Sequence, residues 1–303
     1  MDLGSFSSPC LASAFETLTC SLTSLQGLTI HFPFSANAIR NAGRLTKLRS
    51  WMLILASEIP VDVIPSLFTS TDDCFPDLRN LSLHTADLDY AASIIQSLQR
   101  PLQTLLVVAK DRPSNDPSFI MTFTRVFVGH CFISSLTVLR LFVPTVKFQD
   151  QDIYSAFEPF FSLKNMAEFT IDNPCVVELD DIWFLAAANA WRHLKKLGLL
   201  SDGLPPKATL SGLIPLVQRC PDLESLRLTI VAKPFRMELL EVYNAKMKYI
   251  AFRSSPIENP VGVFRCLTKM FPNLPNVTWD GYNEDWQRIS ALLEESRMDA
   301  YVE

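Results

Sequence analysis

The sequence predicts an α/β solenoid in which short parallel strands alternate with helical segments, and two observations favour this fold. A pattern of four apolar residues recurs along the chain in ten matches, one of them a weaker match with three, and its mean period of about 28 residues is typical of repeat proteins. Each recurrence ends in an apolar, polar, apolar alternation, which places two side chains on one face of a short strand. Neighbouring repeats of this kind bury a continuous core between them.

The repeat has apolar residues at its first, fourth, seventh and ninth positions, as in Cys220, Leu223, Leu226 and Leu228. The ten recurrences end at Ile30, Leu53, Leu83, Val107, Leu141, Ile171, Leu199, Leu228, Phe252 and Trp279. Amphipathic helices give a similar apolar spacing and are the alternative interpretation. A helical face does not change to strand alternation at its end ten times, so the spacing favours strands.

The segments between the strands carry the apolar spacing of helices. We predict helices at residues 87–99, 118–128, 152–158, 179–191, 210–219, 237–243 and 261–270. A crossover helix between successive strands makes the strands parallel. Helices pack about 8–10 Å apart and strands about 4.8 Å apart, so the stack should curve into a horseshoe with the strands on the concave face and the helices on the convex face.

This arrangement is a leucine-rich-repeat solenoid of about ten repeats, since L-x-x-L-x-L is the strand segment of that repeat class. We expect a single domain over residues 1–303. Residues 1–21 should form an irregular N-terminal lead-in, and residues 283–303 a C-terminal capping helix that begins at Asn283. Four of the tryptophans occupy apolar positions and are expected in the core: Trp51, Trp191, Trp279 and Trp286.

The composition argues against several classes of partner. Hydrophobic residues make up 48% of the chain and charged residues 19%, which supplies a continuous core. Because 27 Lys and Arg stand against 32 Asp and Glu, with no long basic run, we expect no nucleic-acid partner. Apolar runs fall far short of the roughly 20 residues that span a bilayer, so we expect no membrane association.

The cysteines and the N-terminus indicate a reducing compartment. The seven cysteines are an odd number, are widely spaced and include no C-x-x-C pair, which favours free buried thiols. The first residues have neither the positive charge nor the apolar core of a secretory signal. We therefore expect the protein in the cytoplasm or the nucleus. Separately, we expect it to be a monomer.

The sequence contains no motif that carries out a reaction. The patterns G-x-S-x-G, G-x-x-x-x-G-K-[ST], G-x-G-x-x-G and H-E-x-x-H are all absent. The four histidines lie far apart, and no second ligand pair accompanies His130 and Cys131. We expect no catalytic activity, no cofactor and no metal site.

The residues between the apolar strand positions are the candidate binding surface, because they project from the concave face. The candidate partner-binding residues are His31, His84, Arg140, Phe142, Glu168, Asp172, Arg227, Tyr249 and Arg253. Arg, Tyr and Phe are frequent anchors of protein interfaces, although solvated strand residues are an equally simple interpretation. Solvation explains the outward apolar residues Met52, Ile54, Leu106 and Val108 less well, because contiguous exposed apolar surface usually marks a contact or is covered by other parts of the chain.

Three stretches resemble the degenerate leucine-rich repeats of fungal F-box proteins. They are CFPDLRNLSL at residues 74–83, CPDLESLRL at 220–228 and FPNLPNV at 271–277, and the resemblance extends over about residues 15–300. In that family the repeats receive substrates for a ubiquitin ligase. The F-box that binds the Skp adaptor has no match in residues 1–40, so Skp and cullin are expected partners only if an F-box is supplied.

The sequence leaves three hypotheses about function. The first is a non-catalytic scaffold that binds a protein on the concave face, which the resemblance refines to the substrate receptor of a ubiquitin ligase. The second is a regulatory repeat protein, such as a GTPase-activating protein, for which Arg112 is the candidate residue. The third is a truncated gene product without independent activity.

Overall fold

The computed structural model describes most of the repeat region in two compact units. The described residues are 22–55, 58–68, 74–98, 100–109, 118–129, 134–143, 156–172, 180–200, 206–236, 238 and 242–299. Unit 1 holds the described residues from 22 to 143, and unit 2 holds those from 156 to 299. A single domain over the whole chain stays a prediction, and the lead-in at 1–21 lies outside the described residues.

The predicted α/β leucine-rich-repeat fold is confirmed, because ten parallel strands alternate with helical segments at the ten predicted places. The strands of unit 1 are β1 (Gly27–Thr29), β2 (Ser50–Ile54), β3 (Asn80–Thr85), β4 (Thr104–Ala109) and β5 (Val138–Phe142). Those of unit 2 are β6 (Glu168–Asp172), β7 (Lys196–Leu200), β8 (Ser225–Leu228), β9 (Tyr249–Phe252) and β10 (Val277–Thr278). Within each unit, every strand pairs in parallel with the next strand of the chain.

Helices connect the strands. In unit 1 they are α1 (Ala36–Ala42), α2 (Ile64–Phe68), α3 (Leu88–Leu98) and α4 (Ser118–Val128). In unit 2 they are α5 (Asp181–Ala190), α6 (Ile214–Arg219), α7 (Pro260–Met270) and α8 (Glu284–Asp299). Short 3-10 helices cover Val61–Val63, Glu158–Ser162 and Leu210–Leu213.

The helix predictions succeed where the helices are long. The segments predicted at 87–99, 118–128 and 179–191 contain α3, α4 and α5, and the segment at 261–270 matches α7 except for its first residue, Pro260. The segment at 210–219 is divided into a 3-10 helix and α6, with Pro215 in the first turn of α6. The sequence did not predict α1 and α2, because 7 and 5 residues are too few to show a helical period.

Two predicted helices cannot be compared over their full length. Residues 152–155 of the segment at 152–158 lie outside the described residues, and the 3-10 helix Glu158–Ser162 begins at the last residue of that segment. Residues 237 and 239–241 of the segment at 237–243 also lie outside them.

The core of each unit is a row of apolar side chains from paired strand positions. In unit 1 the row contains Leu28, Trp51, Leu81, Leu105 and Leu139. In unit 2 it contains Phe169, Leu197, Leu226, Ile250 and Val277. All ten side chains are buried, which is the consequence of the predicted strand alternation.

Aromatic side chains fill the space between the sheet and the helices of unit 2. The ring centroids of Phe169 and Trp191 lie 4.6 Å apart, and those of Trp183 and Trp191 lie 5.9 Å apart in an edge arrangement. The buried indole Nε1 of Trp191 donates to the Phe160 carbonyl oxygen at 3.3 Å. Trp51, Trp191 and Trp286 are in the core, as predicted.

Trp279 is only half-buried, so the prediction that it belongs to the core is wrong. It directly follows β10, and β10 pairs with β9 on one side only among the described strands. No described strand therefore covers its other side.

Backbone groups leaving the strands of unit 2 find partners in the neighbouring repeat. The Ile230 N–H donates to Ser255 Oγ at 2.9 Å, and the Ala232 N–H donates to the Pro256 carbonyl oxygen at 2.8 Å. These contacts satisfy the polar groups of turns that leave a buried strand.

Helix α8 follows β10 and packs along an apolar face. Asn283 caps it, because its Oδ1 accepts hydrogen bonds from the Asp285 and Trp286 N–H groups at 3.0 and 3.1 Å. Trp286, Ile289 and Leu293 are buried. A helix is thus present at the predicted place, and its role as the cap of a single domain stays a prediction.

Two adjacent acids hold the start of α5. Asp180 is the N-cap and accepts the Trp183 N–H at 2.9 Å. Asp181 accepts two hydrogen bonds from Thr209 in the next repeat, from its N–H and its Oγ1, each at 2.7 Å. Both carboxylates therefore act as structural acceptors.

Gly212→Ala should destabilise the protein, because a Cβ at this buried position would overlap the Asp181 carboxylate. The overlap would displace the two hydrogen bonds to Thr209, and we expect a loss of about 1–3 kcal/mol in the free energy of unfolding. Urea denaturation measures it. Gly27→Ala is the control, since nothing lies within 4 Å of its added Cβ, and equal losses from both variants would contradict the overlap.

Candidate partner-binding face

The outer face of each unit carries the side chains that lie between the buried strand positions. Buried and partly exposed residues alternate along β3 and β4 in unit 1 and along β6 and β8 in unit 2. We call these surfaces the outer face of unit 1 and the outer face of unit 2. Each is described by itself.

Two rows of side chains cross the outer face of unit 1, where strand pairing sets residues side by side. The first row is Met52, Ser82, Leu106 and Arg140, and the second is Ile54, His84, Val108 and Phe142. Neighbours in a row are about 4.8 Å apart, which is the spacing of paired strands. Arg140 is exposed and the other seven residues are half-buried.

Apolar side chains dominate this face. Met52 and Ile54 lie on β2, while Leu106, Val108 and Phe142 lie on β4 and β5. The β3 residues Ser82 and His84 separate the two apolar groups. The outer face of unit 1 therefore presents partly exposed apolar surface with a polar strand through its middle.

Three of the four candidate residues in unit 1 lie in the two rows, and the fourth stands apart. Arg140 and Phe142 lie two residues apart on β5, and Val108 on β4 separates His84 from Phe142 in the second row. His31 is exposed in a bend after β1 and has no paired position in either row. The chain leaves the strand early there, and Phe34 then forms an isolated bridge with Leu55.

The outer face of unit 2 is more polar and also has two rows. The first row is Glu168, Lys196, Ser225 and Tyr249, and the second is Thr170, Gly198, Arg227, Ala251 and Thr278. Glu168 and Tyr249 are thus at opposite ends of the first row, and Arg227 lies in the second row on β8, the strand next to that of Tyr249. Asp172 ends β6, and Arg253 directly follows β9.

Tyr249 is the exposed aromatic side chain of this face. It is 41% exposed, and its hydroxyl oxygen accepts a hydrogen bond from Thr278 Oγ1 at 3.2 Å. The contact joins β9 to β10 and holds the phenol ring over the sheet. A positioned aromatic ring is a suitable anchor for a partner.

Most charges on the outer face of unit 2 are paired within the chain. Lys196 Nζ lies 3.7 Å from Glu168 Oε2, and the Arg253 guanidinium donates to the Asp280 carboxylate. Arg227 and Asp172, in contrast, have no hydrogen-bond or ion-pair partner among the described residues. One cation and one anion of this face are therefore available to another molecule.

A second set of ion pairs joins the segments that precede β8 and β9. Lys246 Nζ lies 2.5 Å from Asp222 Oδ1, and Lys248 Nζ lies 2.9 Å from Glu224 Oε2. The hydrogen bond from each lysine, followed by its positive charge, holds the pKa of the carboxyl group below its ordinary value. These pairs link consecutive repeats through solvent-exposed side chains.

Replacing Lys246 and Lys248 together with methionine should lower stability at neutral pH, and the difference from the parent should fade in acid. The carboxyl pKa values are lower in the folded state than in the unfolded state, so the pairs stabilise the fold above the unfolded pKa. That contribution is lost as the pH falls through the folded pKa. Urea midpoints measured from about pH 7 to about pH 3 test this.

Lys164→Met is the matched control, because Lys164 is exposed and has no partner in the described parts of the chain. Its effect should not depend on pH in this range. A loss in the double variant that persists undiminished in acid would show that the lysines act through packing.

A cavity of about 210 Å³ lies in unit 2, where β9 and β10 end and α8 begins. Its walls are Phe252, Ser254, Ser255, Pro256, Trp279, Asp280, Asn283 and Trp286. The polar atoms of Ser255 and the indole nitrogen of Trp286 are already bonded to each other or to the backbone. The cavity is below the roughly 300–1,000 Å³ of typical small-molecule sites.

Sequence reasoning did not predict this cavity or the pairing of Lys196 with Glu168. The ion pair follows from the repeat register, since Glu168 and Lys196 occupy the same position of successive repeats. The cavity follows from the docking of α8, which brings Asn283 and Trp286 to the ends of the strands. The sequence predicted the helix and its buried Trp286, but not the space left between that helix and the strand ends.

The described residues contain no sign of a catalytic or metal centre. No group of three or more His, Cys, Asp or Glu residues in these parts of the chain is placed to hold a metal ion. Burial raises the pKa of the Cys220 thiol to about 12, against the opposing charges of Arg192 and Arg219, so this thiol is neutral at pH 7. Arg112, the candidate for a GTPase-activating role, lies outside the described residues.

Among the helices in the described ranges, none combines the length and apolar character needed to cross a membrane.

No protein-family model matches the chain, and no curated protein matches its sequence. Among solved structures, the chain is similar to a chain in the crystal structure of the Rad7 and Elc1 complex of yeast. The TM-score is 0.44 with 11% sequence identity, over 88% of this chain and 72% of that chain. A likeness of this degree does not indicate what the chain binds.

Proposed function

We propose that the chain is a non-catalytic scaffold that binds another protein through the outer faces of its repeat units. The observation that carries the proposal is the apolar surface of unit 1. Met52, Ile54, Leu106, Val108 and Phe142 occupy outer strand positions and are half-buried. A solvated sheet face normally has polar residues at such positions, so apolar side chains there favour a protein contact.

The outer face of unit 2 supports the same proposal with different residues. Tyr249 and Arg227 belong to the residue types that supply most interface energy, and the paired charges around them resemble a polar rim. The described residues of these strand faces present rows of side chains side by side. Binding of a folded or extended polypeptide is the function that this geometry favours.

A finer proposal is that the scaffold receives substrates for a ubiquitin ligase. Its support is the resemblance of residues 74–83, 220–228 and 271–277 to the repeats of fungal F-box proteins, together with the repeat fold itself. Skp and cullin would then be indirect partners, through an F-box.

Site-specific photo-cross-linking tests the scaffold proposal on each unit separately. A benzoylphenylalanine residue replaces Phe142 in unit 1 or Tyr249 in unit 2 in cells that express the chain, and cross-linked proteins are identified by mass spectrometry. Tyr282 is the matched control, because it is an aromatic residue 79% exposed in the segment before α8. We expect discrete protein adducts when the cross-linking residue is at either outer-face position, and we expect these adducts to be missing when it replaces Tyr282.

Adducts of the same kind and yield from all three positions, or no adduct from either outer face, would contradict the scaffold proposal. The ligase proposal has its own test, which is affinity purification of the chain from the same cells. Recovery of a cullin together with the cross-linked protein is expected. Recovery of the cross-linked protein without any cullin or Skp adaptor would overturn the ligase role and leave the scaffold role intact.

A further inference from the structure

We infer that Arg227 binds a carboxylate side chain of an acidic segment in the protein partner. The inference rests on the proposed scaffold function and adds the chemistry of the contact on unit 2. It is carried by three properties of Arg227, which are its unpaired charge, its small neighbours and its central place on the outer face.

The first property is the unpaired charge. Lys196 is held by Glu168 and Arg253 by Asp280, whereas the half-buried guanidinium of Arg227 has no acidic partner among the described residues. A partner that covered this face without an acid would bury an uncompensated charge, which is strongly unfavourable. A partner that covers this face is therefore expected to bring an anionic group to Arg227.

The second property is the space beside the side chain. The strand neighbours of Arg227 in its row are Gly198 on β7 and Ala251 on β9, and both are buried beneath the longer side chains. A Cβ at Gly198 would lie 3.0 Å from Thr170 Cγ2 and 3.1 Å from Thr170 Oγ1, so even one added carbon would crowd this space. Thr170 therefore reaches over Gly198, and the two residues beside Arg227 in its row carry no side chain longer than a methyl group.

The third property is the surroundings of the guanidinium. Thr170 lies on the far side of Gly198, and Thr278 lies on the far side of Ala251, where its hydroxyl donates to the phenol oxygen of Tyr249. Ser225 on the same strand adds a third hydroxyl. Arg227 is therefore central in a polar and aromatic surface, where anchors of an interface are usually found.

The charge balance favours a carboxylate over a phosphate group. Arg227 supplies one positive charge, and a carboxylate supplies one negative charge in a geometry that the guanidinium can bind through two hydrogen bonds. A phosphate group carries about −1.5 to −2 at pH 7 and would remain partly uncompensated.

The test is a selection of random linear peptides displayed on phage against the folded chain, followed by affinity measurements on synthetic peptides. The variants are Arg227→Ala, Arg227→Lys and Tyr249→Ala, with Arg288→Ala as the control, since Arg288 is exposed on α8 and has no described partner. We expect the selected peptides to share an Asp or Glu. Arg227→Ala should lower the affinity for these peptides about 30-fold or more. Arg227→Lys should lower it less, because lysine keeps the positive charge but cannot form the two parallel hydrogen bonds of a guanidinium.

The decisive measurement pairs two changes. Converting the shared acid of the peptide to its amide should weaken binding to the parent chain, but should have little further effect on the Arg227→Ala variant, because both changes remove the same contact. Additive losses would overturn the carboxylate assignment. Two other results would overturn the carboxylate assignment and leave the scaffold function standing. One is a set of peptides whose binding depends on Tyr249 but not on Arg227. The other is tighter binding of phosphopeptides than of the matching peptides with a carboxylate. If no selected peptide depends on Tyr249 or Arg227, the assignment fails, and the cross-linking experiment decides the scaffold function separately.

Discussion

Leu226→Asp is expected to remove most of the stability of the fold. Leu226 is 0% exposed and lies in the middle of the core row of unit 2, paired with Leu197 on one side and Ile250 on the other. The substitution deletes apolar contacts, which alone costs about 2–5 kcal/mol for a buried leucine. It also buries a carboxylate with no cation beside it, so the total loss should exceed about 4 kcal/mol.

Arg227→Ala is the matched control, because the residue is the next one along the same strand and faces the other side of the sheet. Its free energy of unfolding should stay within about 0.5 kcal/mol of the parent value. Urea denaturation followed by circular dichroism measures both variants. Similar losses from the two substitutions would contradict the register of β8, and a stable Leu226→Asp variant would contradict the position of the core.

Trp286→Ala is expected to have the second largest effect. The indole ring is 0% exposed, lies 5.0 Å from the Phe252 ring between centroids, and donates from Nε1 to the Ser255 carbonyl oxygen at 2.9 Å. Removing it opens a large cavity under α8 and leaves that carbonyl oxygen without its donor. The expected loss is about 3–5 kcal/mol in the free energy of unfolding.

Two further variants separate the contributions of Trp286. Trp286→Phe keeps much of the ring packing but not the hydrogen bond, and should cost less than Trp286→Ala. Met298→Ala, on an exposed side chain of the same helix, should leave stability nearly unchanged. Limited proteolysis should cut within Glu284–Asp299 faster in Trp286→Ala than in the parent chain. Equal losses from Trp286→Ala and Met298→Ala would show that α8 does not depend on this ring.

The strands could be predicted from the sequence because their signal is local and repeated. Leu226 and Leu228 show the alternation within four residues, and the same alternation returns in every repeat. The long helices α3, α4 and α7 have enough residues for their apolar spacing to be visible. Helices α1 and α2 were missed because packing against the repeat, rather than periodicity, determines where short helices form.

The candidate site was predictable in part for the same reason. Strand alternation predicts which residues face outward, so His84, Arg140, Phe142, Glu168, Arg227 and Tyr249 fall on the outer faces. It does not predict which of these residues are already bonded. Glu168 proves to be paired with Lys196, while Arg227 has no described partner, and this difference changes which residue is the better anchor.

The sequence by itself determined the repeat class, the ten strand positions and the division between core and outer side chains. The reason is that two periods can be read from residue order alone. One is the period of two within each strand, and the other is the period of about 28 residues between strands. Only the tertiary structure decided how outward charges combine, where the chain leaves the sheet at His31, and how α8 encloses a cavity with Trp279 at its wall. Those features depend on contacts between residues about one repeat or more apart, and the register and rotamer choices that bring such residues within bonding distance are not encoded in any short stretch of the chain.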